Sequence, residues 1–320
     1  MYRLRTMTLA RLTLAMAAGL LAPLGAAEAA DPESCKAVRF SDVGWTDITS
    51  TTAVASAILE ALGYAPESKL LSIPVTYTSM KNKDIDVYLG DWQPSMEADR
   101  KPFLEDKSIE VFGPNLTGAK YTFAVPKYVA DAGVRDFADL QKFAEKFGSK
   151  IFGIEPGNNG NRMITEMIEK KAFGLGGWEL VESSEQGMLA EVGRAIGEKQ
   201  WIVFLGWAPH PMNSVYAIDY LSGGDDYFGP NYGGADIYTN IRAGYAQECP
   251  NAARFVTNLR FTLDMENEIM GAILNDGKDA KDAATEWLKA HPDAVKPWLD
   301  GVTTLDGRPA AEAVNGLLNG

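Results

Sequence analysis

The chain has 320 residues, 46% of them apolar and 23% charged, so it can bury a sizeable core and does not read as disordered. Thirty basic against 43 acidic residues give a net charge of −13, which argues against the basic surface that nucleic-acid binding needs. Two histidines and two cysteines leave little material for a soft-metal site.

Arg3, Arg5 and Arg11 precede an apolar run from Leu12 to about Leu24, and Ala27-Glu28-Ala29 follows as a small-x-small site. This pattern predicts a cleavable export signal over residues 1–29, because the run falls short of the roughly 20 apolar residues of a membrane span. Export would place Cys35 and Cys249, the only two thiols, in an oxidising compartment. A Cys35–Cys249 disulfide is therefore predicted, with two buried free thiols as the alternative. Glu33-Ser34 before Cys35 lacks the small and apolar residues that precede a lipid-modified cysteine.

Short β-rich runs then alternate with segments of helical period. Residues 38–43 read as a strand, 49–62 as a helix ended by Gly63, 73–77 as a second strand, 86–89 as a third, and 95–104 as helical. The rhythm restarts with a strand at 121–125, a helix at 137–147, a strand at 150–154, a helix at 161–171 and a strand at 201–205. From Val215 to Gly234 a Gly/Asp/Asn-rich loop is expected, followed by helices at 252–262, 265–274, 280–290 and 310–318. This predicts an α/β fold of two lobes, each a mostly parallel sheet flanked by helices, with a cleft between them.

No G-x-S-x-G elbow, H-E-x-x-H or P-loop motif occurs. Gly174-Leu175-Gly176-Gly177 follows a helix and reads as a turn, not a dinucleotide fingerprint. Asp276-Gly277-Lys278-Asp279 lacks the alternating ligands of a calcium loop. His210 lies between two prolines and His291 at a helix end, so neither belongs to an acid–base constellation. No cofactor, no metal and no catalysis are expected.

The aromatic residues carry the positive signal. Trp45, Trp92 and Trp207 each fall at the end of a predicted strand, each with a glycine one or two residues before it, and Tyr121 opens the second half. Ligands of open α/β sheets bind at the carboxyl ends of strands. Core packing is the alternative for any one of these residues, but it explains all three tryptophans poorly. Glu155-Pro156-Gly157-Asn158-Asn159-Gly160-Asn161 is a polar loop at an equivalent strand end. One of its asparagines should cap the following helix, and Asn158, further from the helix start, is expected to be free to meet a ligand. Asp47 sits between strand and helix, where an N-cap is its alternative role.

With Gly44-Trp45-Thr46-Asp47, Gly90-Asp91-Trp92, Lys120-Tyr121, Pro156-Gly157-Asn158 and Gly206-Trp207-Ala208-Pro209-His210 in hand, the whole chain after the export signal resembles the periplasmic substrate-binding proteins of ABC importers for quaternary amines, and within them the choline-binding branch. The resemblance implies the type II periplasmic binding-protein fold, with lobe one at 31–116 plus 210–320 and lobe two at 117–209. It implies an aromatic box of Trp45, Trp92, Tyr121 and Trp207, with Asp47 and Asn158 taking a ligand hydroxyl. It also implies choline as ligand, with acetylcholine and more weakly held betaines as further candidates. A transmembrane permease as partner, a periplasmic location and a monomeric state complete the expectation.

The physics is consistent. A trimethylammonium group has no N–H to donate, so only ring faces and negative charge can select it. Four faces at roughly 0.5–2 kcal/mol each supply much of the ~8 kcal/mol that micromolar binding needs. Glycine betaine is the alternative ligand, but its carboxylate would be repelled by Asp47. A choline-ester hydrolase would need a nucleophile and base that no motif provides.

Overall fold

The computed structural model describes Met1 and residues 30–319; the expected export signal lies outside them. Among the described residues no helix is long and apolar enough to cross a membrane. Nine strands form one sheet in the order β2-β1-β3-β9-β4-β7-β5-β6, with β8 paired to β4. Their ranges are β1 Ala37–Asp42, β2 Ala65–Leu70, β3 Val87–Gln93, β4 Ile109–Pro126, β5 Lys150–Phe152, β6 Glu179–Val181, β7 Phe204–Ala208, β8 Ile218–Tyr220 and β9 Gly234–Arg242. The longer helices are α1 Thr46–Ala61, α2 Ile73–Lys81, α3 Glu97–Glu105, α4 Asn159–Glu169, α5 Glu185–Gly197, α6 Pro250–Asn258, α7 Leu263–Leu274, α8 Ala280–Ala290 and α9 Ala310–Asn319.

The α/β reading holds, with parallel strands at both ends of the sheet. β1 runs parallel to β2 and β3, and β5 runs parallel to β6 and β7. Antiparallel strands join these two groups. The start of β4, Ile109–Phe112, pairs with β9, while Lys120–Ala124 pairs with β7. Register shifts between Phe112, Leu116 and Ala119 mark where β4 passes from one group to the other.

Several elements differ from the expectation, among them β6, β8 and α5, which were not anticipated, and residues 137–143, which form a 3-10 helix rather than an α-helix. Ile73–Tyr77 is not a strand but the start of α2, whose buried residues Ile73, Thr76, Tyr77 and Met80 repeat at helical spacing. The β-branched composition of that stretch masked its period, and Pro74 fits the first helical turn. The strand in this region is β2, a mostly exposed edge strand that tolerates Pro66. β9 also went unread, although Ala235, Ile237, Thr239 and Ile241 alternate as buried positions directly after the glycine-rich segment.

The predicted disulfide is formed, linking Cys35 to Cys249 across a sequence separation of 214. It joins the segment before β1 to the start of α6. Beside it the buried Asp31 carboxylate accepts the amide N–H groups of Asn251 and Ala252 and the Tyr64 hydroxyl. A carboxylate on the exposed amides of a helix N-terminus is stabilising. The paired variant Cys35→Ser/Cys249→Ser is expected to lose about 2–5 kcal/mol in urea unfolding followed by tryptophan fluorescence; unfolding coincident with the native chain would show that the bond adds nothing.

Candidate ligand-binding site

The carboxyl ends of β1, β3, β5 and β7 converge, and each delivers part of one cavity. At the end of β1 the Asp42 carboxylate accepts the Gly44 amide at 2.7 Å and the Thr49 hydroxyl at 2.7 Å, tying the turn to α1. Gly44 adopts φ +86°, a left-handed conformation that suits glycine. That turn places Trp45 at the N-cap of α1 and Asp47 in its first turn, so Asp47 is not the cap.

Trp92 lies near the end of β3, and its indole Nε1 donates to Asp47 Oδ2 at 3.1 Å. Trp45 Nε1 donates to Glu155 Oε1 at 2.9 Å, in the loop after β5. Tyr121 and Trp207 are direct cross-strand partners on β4 and β7. Tyr121 stands edge-on to Trp92, with ring centroids 6.2 Å apart, and to Trp207 at 6.5 Å. Its hydroxyl donates to Asn158 at 3.0 Å. A side chain on Gly160 would overlap that hydroxyl, so the start of α4 must be bare at this point.

The four rings of the expected box therefore come together. Trp45, Trp92, Tyr121 and Trp207, with Ser95, Ile154 and Asn159, line one tight pocket. All four rings are buried.

The polar residues are arranged differently from the expectation. Asn158 is itself the N-cap of α4: its Oδ1 accepts the amides of Gly160 and Asn161 as well as the Tyr121 hydroxyl, and its Nδ2 donates to Glu155. It holds the loop and the ring rather than standing free. Asn159, which the sequence offers only as a possible helix cap, lines the cavity fully buried, and neither its Oδ1 nor its Nδ2 has a partner. Asp47 Oδ1 is likewise buried without a partner. Unpartnered buried polar atoms are costly, and beside a cavity they point to a ligand that completes them.

The site is also anionic. Asp42, Asp47, Glu155 and Glu185 are held by amide, hydroxyl, indole and imidazole groups; no lysine or arginine is among their hydrogen-bond partners within the described residues. Burial, reinforced by the Glu185 charge, pushes the Asp47 carboxyl up to about 8 against the pull of the Trp92 indole. Burial raises Glu155 and Asp42 as well. Glu266 on α7 is raised well above the usual carboxyl range by burial and then by Asp47. Among the described residues no cluster of His, Cys, Asp and Glu is placed to hold a metal ion.

A carboxyl whose folded value lies above its unfolded one binds an extra proton when folded, so its stability contribution is complete below about pH 4 and is lost as pH rises through about 8. The empty protein should therefore lose stability between those limits. Asp47→Asn should flatten that slope in denaturant titrations at stepped pH, and an unaltered slope would place the titration elsewhere.

A family model described as the substrate-binding domain of ABC-type glycine betaine transport systems matches residues 36–290. A solved ABC-transporter choline-binding protein in complex with choline is 60% identical, with a TM-score of 0.89 over 90% of this chain and 100% of that one. An unliganded, semi-closed choline-binding protein, also 60% identical, gives 0.82 over 89% of this chain and 99% of that one. The lactococcal protein in its closed form with glycine betaine is 29% identical, with a TM-score of 0.74 over 82% of this chain and 98% of that one. All three place the chain among two-lobed substrate-binding proteins.

Proposed function

The chain belongs to the family of substrate-binding domains of ABC-type glycine betaine transport systems, and from that premise we propose that its own ligand is choline. The observation that carries this reading is the box itself: four rings around one cavity, two of them braced by carboxylates with no fixed counter-cation. A quaternary ammonium supplies the missing positive charge and asks for no hydrogen bond. At the other end, Asp47 Oδ1 and the Asn159 amide meet a hydroxyl that both donates and accepts. The likeness to a choline complex at 60% identity supports the same assignment.

In this reading the protein binds and hands over its ligand without altering it. Both nitrogens of His210 are engaged, with the Met212 amide and Glu185, so it offers no general base. An ABC permease receives the ligand, and the chain acts as a monomer in the periplasm after its export signal is removed. The lobes divide near residue 117 within β4. The pairing of β8 with Ala124–Pro126 supports a return crossing near Gly234, later than residue 209.

Isothermal titration tests the assignment. Choline should bind at least tenfold tighter than glycine betaine, about 1.4 kcal/mol, because a carboxylate meets a buried anionic wall. Asp47→Asn should narrow that gap. Equal affinity of the native chain for the two ligands would hand the site to betaine. Trp92→Ala should cost about 2–4 kcal/mol of choline binding while the fold survives.

The bound cation favours ionised Asp47, so choline affinity should rise from pH 6 to 8, by no more than tenfold per unit for one proton. Asp47→Asn should make the profile flat, and a flat native profile would disconnect this carboxyl from the ligand.

A further inference from the structure

Glu185 opens α5, far from Trp45 and Asp47 in sequence and on the β5/β6 side of the sheet. It is 1% exposed, yet it is not one of the residues that line the cavity. Its carboxylate instead reaches the N-terminus of α1. The Thr46 amide donates to Oε2 at 2.8 Å and the Thr46 hydroxyl to Oε1 at 2.6 Å. The residue at the N-cap of α1 is Trp45, whose side chain cannot accept a backbone N–H. Glu185 thus caps a helix that belongs to the other side of the sheet, and Thr46 lies between two residues of the proposed site.

The carboxylate is aimed by His210. The Met212 amide donates to His210 Nδ1 at 2.9 Å, so the ring proton sits on Nε2 and points at Glu185 Oε1, 3.1 Å away. The same imidazole stands edge-on to Trp207, with centroids 4.8 Å apart. One carboxylate therefore accepts three hydrogen bonds and joins the Trp207 wall to the Trp45–Asp47 corner. An amide in its place would present an N–H to one of these donors.

Resting on the binding reading above, we infer that Glu185 is the positioning residue that holds the site closed: its bonds to Thr46 exist only while the two sides of the sheet are together, and they fix Trp45 and Asp47 against the opposite wall. A second, outer contact spans the same gap, where the Arg162 guanidinium grips the Asp99 carboxylate with both nitrogens, at 3.0 and 2.6 Å. The outer pair is partly exposed on its arginine side and contributes less. Apparent affinity scales with the fraction of the binding-competent closed form, so removing Glu185 lowers affinity without removing a ligand contact.

Stopped-flow tryptophan fluorescence with choline tests this on the native chain, Glu185→Ala, Glu185→Gln and Thr46→Val. Glu185→Ala should weaken Kd by at least about tenfold, with the change in koff and with kon within about threefold of native. Glu185→Gln should restore part of the loss, and Thr46→Val, which removes one of the two Glu185–Thr46 bonds, should fall between native and Glu185→Ala. A purely structural role would move the unfolding midpoint and leave koff of the folded fraction unchanged, which would overturn the inference. Native koff in all three variants would do the same. Should Glu185→Ala fail to fold, Glu185→Gln and Thr46→Val carry the same reading. Failure of the native chain itself to bind choline would sink the ligand assignment instead, a result separate from any change among the variants.

Discussion

Negative charge buried without a fixed positive partner is the condition on which the site depends. Asp47 and Glu155 each receive an indole N–H, which orients a tryptophan and spreads a little of the charge, but neither bond neutralises a carboxylate. In the empty protein burial favours a proton on Asp47, which relieves part of the charge. In the proposed reading a cation that enters between the rings takes over from that proton. The aromatic walls then serve two purposes at once, since their faces attract the cation and their edges are pinned by the groups that need it.

The surrounding architecture fixes the rings in this arrangement. Tyr121 is fixed at three points: by its β-ladder partner Trp207, by Asn158 at its hydroxyl, and by the bare backbone of Gly160. Trp45 and Asp47 are fixed by the Asp42 turn on one side and by Glu185 on the other. The four rings come from four places in the sheet, Trp45 after β1 and Trp92, Tyr121 and Trp207 within β3, β4 and β7, so the cavity is a junction of several elements rather than a hole in one.

Much of this was legible in the sequence because glycine-tryptophan pairs at strand ends are conspicuous, and the four rings do meet. The polar half was less legible for a local reason. Counting back from the expected helix start made Asn158 look free, but α4 begins two residues earlier, so Asn158 becomes its cap and the neighbouring Asn159 faces the cavity. Periodicity alone cannot fix a helix start to within one residue. Glu185 gave no signal at all, since its role arises from a contact 139 positions away in sequence. α2 was misread where composition and period disagreed, and its burial pattern sided with period; in β9 the two agree, but the glycine-rich segment before it hid the strand.

The Cys35–Cys249 bond has a mechanical consequence. Both of its ends lie beside β1 and β9, and the Asp31 carboxylate that reinforces it caps a helix on that same flank. On the proposed lobe division, the covalent staple braces a single lobe and does not span the gap between the two. Reduction would then soften that lobe without touching the Glu185–Thr46 and Arg162–Asp99 contacts. In that reading the covalent strength sits where nothing has to move, and the moving joint is left to hydrogen bonds that can be made and broken.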